Sequence, residues 1–190
     1  GMQSFGFGLT GRKFWFRNFF QKTQGYYLEN PQYFNPDFNW ALDVYPYRGD
    51  IQSTLYWASL NYGFNHRKFS NQAALWQLER QKKSAGSFTC GLTYSYASYQ
   101  ADSALVPQKY QRLFERDEFF TNFNFGMLGL NVGYLHTFAI GKSRKFFISL
   151  ALIPGVSYQR GKAQSSETGA AIYDGNIGFH GESRLVFGYN

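Results

Sequence analysis

Hydrophobic and polar residues alternate along most of the chain with a period of two, which is the pattern of β-strands. Helical periodicity is nearly absent. The alternation predicts eight strands, at roughly 3–9, 12–28, 48–64, 69–81, 84–100, 122–139, 145–160 and 171–189. Tight turns join most of them, and two long connections follow the second and fifth predicted strands. No linker or repeat divides the chain, so we predict a single all-β domain over residues 1–190.

The two faces of the predicted strands differ in chemistry. Leu128, Leu130 and Val132 lie on one face of their strand, whereas Gly129 and Asn131 lie on the other. Three further strands repeat this division between a large apolar face and a small or polar face. In a soluble barrel the apolar face points inward, and in a membrane barrel it contacts lipid. The pattern is therefore typical of both, and other features must separate them.

Composition favours the membrane barrel. The polar faces carry Gly, Ser, Thr and Asn rather than the Lys and Glu of a water-exposed sheet. Aromatic residues make up 21% of the chain, and several apolar rows end in Tyr or Phe, as an interfacial girdle does. We therefore predict a closed antiparallel meander barrel of about eight strands, in the outer membrane or envelope of a Gram-negative bacterium, with membrane lipid as partner. Eight strands leave a lumen filled by side chains rather than an open pore.

Two features count against this prediction. In a meander of eight strands, the two long connections fall on opposite ends of the barrel, whereas membrane barrels place their long loops at one end. The chain also ends in Asn190 rather than in a terminal aromatic residue.

The net charge of +7 is spread over the chain, with small basic clusters at the predicted turns. Arg80, Lys82 and Lys83 form one cluster, which we interpret as a contact with lipid headgroups or a partner protein, or as a charged hairpin tip that blocks edge pairing. Residues 142–145 form another. No nucleic-acid reader motif is present, so no nucleic-acid partner is expected.

One polar set stands out as a candidate site. His180, Glu182 and Arg184 alternate on one face near the end of the last strand. They predict either a ligand or ion contact in the lumen or an internal salt-bridge network. His136 is placed in the lumen with them. Glu115, Asp117 and Glu118 cluster on a long polar connection and are interpreted as a solvated charge patch.

No cofactor or metal is expected. Residues 6–11 spell G-x-G-x-x-G, but the segment that follows has a strand pattern rather than the helix that a dinucleotide site requires. The three histidines lack the spacing of metal ligands. No nucleophile motif accompanies them either.

The run Glu79–Ser87, with sequence ERQKKSAGS, lies in a segment, 64–88, that resembles a family of Bacteroidetes-type proteins known only as a domain of unknown function. Residues 25–30 and 45–64 fit the family too. The resemblance implies a β-rich envelope protein and supplies neither an activity nor catalytic residues. Family members are longer at both ends, which leaves open the alternative that this chain is a fragment. A fragment need not form a closed barrel.

Three functions are compatible with these observations. The leading hypothesis is a non-enzymatic envelope barrel with a structural or small-ligand role. The second is a soluble lipocalin-like barrel that binds an apolar ligand, and the third is a membrane-embedded lipid-modifying enzyme that uses His180, Glu182 or His136. The sequence does not determine the oligomeric state. The first two hypotheses are separated by the exposure of four residues, Leu128, Leu130, Ile148 and Leu150.

Overall fold

The computed structural model describes residues 1–27, 29–33, 36–41, 47–103, 120–141, 145–165 and 169–189. They form a β protein with almost no helix, which confirms the predicted fold class. The strands are β1 (Met2–Thr10), β2 (Phe14–Tyr27), β3 (Tyr47–Gly63), β4 (Ala85–Gln100), β5 (Phe120–Ile140), β6 (Phe146–Ser165) and β7 (Gly169–Tyr189). A 3-10 turn spans Pro31–Tyr33 and a π-helical turn spans Gln72–Trp76. Within the described residues, no helix has the length and apolar character needed to cross a membrane.

The strands form one antiparallel sheet in the order β1-β2-β3-β4-β5-β6-β7. Each strand pairs with its neighbours in the chain, as in the predicted meander. Connections 11–13, 64–84 and 141–145 therefore leave from one end of the sheet, which we call the plug end. Connections 28–46, 101–119 and 166–168 leave from the other, the loop end.

The prediction of a strand at 69–81 is wrong. Ala73, Ala74 and Leu75 are all buried, although consecutive residues of a strand would point to opposite faces. They form a π-helical turn that ends at Gln77, whose φ of 56° is left-handed. We call residues 64–84 the plug, because this segment folds against the inner face of the sheet.

The corrected strand count removes one objection to a membrane barrel. The described part of the chain has seven strands, of which β2 and β4 both end at the loop end, and the long connections 28–46 and 101–119 follow these two strands. The third long segment is the plug, and it packs inside. The other two plug-end connections, 11–13 and 141–145, are short in sequence, and short connections at one end with long ones at the other are typical of membrane barrels.

Closure of the sheet is not confirmed. In the described part of the chain, β1 and β7 are the two edges, and no backbone ladder joins them. The sheet is nevertheless curled. Its curvature is evident from the ion pair that Arg17 on β2 forms with Glu182 on β7 across the inner face. β1 and β7 run in the same direction, since an odd number of strands separates the two edges.

A small apolar cluster lies between the plug and the sheet. Asn71 and Gln72 fix the plug by donating side-chain hydrogen bonds to the backbone carbonyls of Arg12 and Thr10, over 3.3 and 3.0 Å. Burial of the apolar side chains supplies the main driving force. The members come from β2, the plug, β5 and β6: Trp15, Phe69, Ala74, Leu75, Leu135, Ala151 and Ile153.

The outer face is apolar and exposed. Leu128 and Leu130 on β5 are 58% and 67% exposed, and Ile148 and Leu150 on β6 are 37% and 45% exposed. The inner face is small and polar, and it is buried. Its fully or nearly buried members include Ser59, Asn61, Ser87, Thr89, Thr93, Asn131, Thr137, Ser149 and Ser157.

Candidate functional site

The inner face lines a partly open chamber of about 140 Å³ just above the plug. Ile153 belongs both to the chamber wall and to the apolar cluster under it, so the plug forms the floor. Every strand from β2 to β7 contributes to the wall. The lining residues are Arg17, Trp57, Ser59, Asn61, Thr93, Met127, Asn131, Ile153, His180, Gly181 and Glu182.

His180 reaches across the sheet because two glycines leave room for its ring. Gly155 is its direct partner on β6, and Gly129 lies one strand further on β5. A Cβ added at Gly155 or Gly129 would lie 2.5 or 2.3 Å from the imidazole. The ring Nε2 contacts Asn131 Oδ1 at 2.5 Å, and Asn131 Nδ2 donates to Thr93 Oγ1 over 2.8 Å. A polar chain thus joins β7, β5 and β4.

Glu182 faces the opposite wall of the chamber. Arg17 donates from Nη1 to Glu182 Oε1 over 3.3 Å and also from Nη2 to Oε2. The guanidinium carbon of Arg17 lies 5.1 Å from the centre of the Trp57 ring, a cation–π geometry. The pair places no net charge on the chamber, because each ion neutralises the other.

Four polar atoms on the wall are buried and have no hydrogen-bond partner among the described residues: Arg17 Nε, Ser59 Oγ, Asn61 Oδ1 and His180 Nδ1. Buried polar groups are normally hydrogen-bonded. His180 Nε2 donates to the Asn131 carbonyl oxygen, so in a neutral ring Nδ1 is an acceptor. The free groups therefore include one obligate donor on Arg17, two acceptors on Asn61 and His180, and a hydroxyl that does both.

The remaining predicted lumen residues do not join the chamber. Arg184 lies on the inner face of β7, opposite Ala151, but it is not part of the chamber wall. His136 lies on the outer face, so its placement in the lumen was wrong. Its Nδ1 contacts Tyr134 Oη at 3.0 Å, and its ring lies 4.2 Å from the ring of Phe138.

The basic residues Arg80, Lys82 and Lys83 are exposed at the plug end, on the outer part of the plug. The buried Gln81 between them donates to the carbonyls of Lys68 and Lys83, both over 2.9 Å. Because the strand predicted at 69–81 does not form, the three basic residues are not the tip of a strand hairpin, which was one of the two interpretations. The acidic cluster of Glu115, Asp117 and Glu118 and the basic residues 142–144 lie outside the described residues.

Sequence reasoning missed Arg17, Trp57 and Asn131. Arg17 and Asn131 could have been found from their register, because Arg17 lies two residues from the inward Trp15, and Asn131 lies between the glycines at 129 and 133. What a sequence cannot give is the pairing of Arg17 with Glu182, since 165 residues separate them.

Within the described residues, the hydrogen-bond partner of the His180 ring is the Asn131 side chain. The arrangement of the chamber suits binding of a small polar molecule. His136 lies on the other face of the sheet and cannot act in the same site as His180 and Glu182.

A search of curated proteins and a search of solved structures found no match. The family described as "Domain of unknown function (DUF4421)" matches residues 1–190. The resemblance drawn from the basic run and its flanking segments is thereby confirmed at the level of the family, and its source organism is not. This chain therefore belongs to the DUF4421 family.

Proposed function

We propose that this protein is a non-enzymatic, lipid-embedded β-barrel-type protein of the cell envelope, with a structural or small-ligand role. One observation carries the proposal, namely the exposed apolar outer face opposite a buried polar inner face. In water, an apolar surface of this extent is costly, whereas lipid solvates it.

The height of the apolar outer face fits a bilayer. On β5 the exposed row runs from Leu128 to Ile140, and on β7 it runs from Ile177 to Tyr189. At about 3.4 Å per residue each row is about 40 Å long. A strand tilt of about 40°, usual in membrane barrels, reduces this to a height of about 30 Å, the thickness of the hydrocarbon core.

The inner face supports a structural rather than a conducting role. The plug fills one end of the lumen, and the ion pair of Arg17 with Glu182 crosses the middle. A lipocalin-like barrel would need its apolar rows to line a cavity, and here those rows cover the outer surface. The enzyme alternative would have to rely on His180 and Glu182 alone.

The chamber favours a second, compatible function, the binding of a small neutral hydroxylated molecule. Hydroxyl groups both donate and accept, so a polyol matches the acceptors Asn61 and His180 and the donor Arg17 in chemistry. Each of these atoms has less than 1 Å² of accessible surface, so binding requires side-chain rotation that turns them toward the chamber. A carboxylate has no proton to donate to the two acceptors, and a cation would meet Arg17. The volume equals about five water molecules, which is close to the size of glycerol.

Cys90 offers a direct test of the membrane proposal. It lies on the outer row of β4 between the exposed Phe88 and Leu92, and its thiol is free. An environment-sensitive fluorophore on Cys90 should shift to the blue in phosphatidylcholine vesicles and be quenched by bromine on the acyl chains. As a control, the fluorophore is moved to the plug end in a Cys90→Ser, Arg80→Cys variant, where quenching should be weak. Equal quenching at both positions contradicts the proposal.

The native tryptophans suit this test poorly. Trp15 is buried against the plug, Trp57 lines the chamber, and Trp76 packs against the apolar cluster. None of these three contacts the outer surface that lipid would cover, so their fluorescence reports on the inside of the sheet.

The chamber is tested with saturation-transfer NMR on glycerol, acetate and ethylammonium in the presence of the protein in detergent. Glycerol alone should receive saturation, and Ser59→Val should abolish the transfer. Ser149→Val is the matched control, since both serines are 3% exposed on the inner face but Ser149 hydrogen-bonds Thr137 outside the chamber. Transfer that is the same in both variants rules out the chamber as the binding site.

A further inference from the structure

The connections at the two ends of the sheet differ strongly in charge. Those at the plug end carry ten basic residues and one acidic residue, a net charge of +9. Those at the loop end carry three basic and eight acidic residues, a net charge of −5. The overall charge of +7 therefore hides a molecule with one strongly basic end.

The fold brings together basic residues of the plug and of the turn between β1 and β2, although separate segments of the chain supply them. Gln81 binds the carbonyls of both Lys68 and Lys83 and so places one basic run beside the other. Arg12, from the turn between β1 and β2, shares a cleft of about 120 Å³ with Arg67 and Lys68. We call the described basic residues of this end the basic collar: Arg12, Lys13, Arg67, Lys68, Arg80, Lys82, Lys83 and Lys145.

The single acidic residue in these connections does little to neutralise the collar. The Glu79 carboxylate accepts a hydrogen bond from the hydroxyl of Ser70 over 2.7 Å. It also lines the cleft that Arg12, Arg67 and Lys68 share, and it offsets one of the ten basic charges in these connections.

Aromatic residues separate the basic collar from the aliphatic part of the outer face. Phe14 and Tyr62 lie 4.9 Å apart, Tyr62 and Phe64 lie 5.1 Å apart, and Phe146 and Tyr189 lie 5.0 Å apart between ring centres. Lys145 Nζ lies 5.7 Å from the ring of Tyr189. An aliphatic band, then aromatic rings, then basic residues is the order in which a bilayer presents hydrocarbon, interface and phosphate.

We infer that the basic collar binds the phosphate groups of anionic lipids in the leaflet that faces the plug end. This inference rests on the proposed membrane function and adds lipid selectivity to it. Each basic residue is attracted to an anionic surface independently of the others, so the contributions of the collar residues add. The attraction decreases as the salt concentration rises.

The test uses electron paramagnetic resonance of spin-labelled lipids around the protein reconstituted in phosphatidylcholine vesicles. Spin-labelled phosphatidylglycerol should associate with the protein at least about fivefold more strongly than spin-labelled phosphatidylcholine at low salt. Replacement of Lys13, Lys68 and Lys83 by Gln should remove most of this selectivity.

A matched variant separates the collar from net charge. Lys22, Arg160 and Lys162 are exposed on the strands near the loop end, and their replacement by Gln lowers the total charge equally. This variant should keep the selectivity. If both triple variants lose it alike, or if the parent protein prefers neither lipid, the inference is overturned while the membrane function stands. If no motionally restricted lipid is detected at all, the membrane function itself fails.

Discussion

The outer and inner faces of the sheet are built from alternate residues of the same strands, yet they follow opposite rules. On β5, Leu130 and Val132 face outward and are more than 60% exposed, whereas Asn131 between them is 6% exposed. The polar residues are buried and the apolar residues are exposed, which reverses the usual division in water. This reversal is the observation on which the proposed lipid environment rests.

The plug is an exception to this reversal, because it covers part of the inner face with an apolar cluster. Phe69, 2% exposed, packs there beside Trp15 and Leu135. Phe69→Ala should lower the free energy of unfolding by about 3–5 kcal/mol, the usual loss for a buried phenylalanine. Urea unfolding followed by tryptophan fluorescence measures this. A loss below about 1 kcal/mol would mean that the plug does not pack against the inner face.

A charge on the outer face should be the next most damaging change. Leu152→Arg, at the midpoint of the β6 row, places a cation in the middle of the apolar band and should destabilise the protein in a bilayer by about 2–4 kcal/mol. Tyr158→Arg, at the loop-end edge of the β6 row, should cost only about 0–1 kcal/mol. Unfolding from vesicles gives both values. Equal costs at the two positions would show that the band does not lie in hydrocarbon.

Two glycines of β5 compare the crowding of the faces. A Cβ at Gly133 would lie 2.4 Å from the backbone oxygen of Leu152, whereas nothing lies within 4 Å of one at Gly126. Gly133→Ala should therefore cost about 1–3 kcal/mol, and Gly126→Ala should be close to neutral. Unfolding midpoints measured side by side test this, and a costly Gly126→Ala would contradict the assigned packing.

The division between an apolar outer face and a polar inner face ends at the loop end, where β3 extends beyond the apolar band. Asp50 lies about 20 Å along the strand from Tyr56, the first outward tyrosine of the β3 row. Arg48 donates to it over 2.8 and 2.7 Å and also contacts Ser103. Hydrogen bonding by Arg48 lowers the pKa of Asp50 from 3.8 to about 2.

This ion pair should give the smallest effect and a defined pH dependence. A lowered pKa in the folded protein means that the contribution is complete above pH 3.8 and is lost as pH falls through about 2. Asp50→Asn should cost about 1 kcal/mol at neutral pH. The difference from the parent protein should disappear near pH 2, and a difference that persists there would assign the effect to packing instead.

Period-two alternation was enough to predict six of the strands closely and to divide their faces correctly. It failed at 69–81, because the short apolar run Ala73–Trp76 is compatible with a strand or a buried helical turn, and only the tertiary contact with Trp15 decides. His136 was misplaced although the same alternation puts it beside Tyr134 and Phe138. The prediction weighted its polarity above its register. The ion pair across the curled sheet depends on curvature, which no local pattern encodes.

The plug has a consequence for the order of assembly. Every strand forms its backbone ladder only with its neighbours in the chain, so the sheet can grow from one strand to the next in sequence order. The plug contacts β5, β6 and β7, all of which follow it in sequence. It can therefore reach its final position only after those strands have formed, and docking of the plug should be a late step of folding.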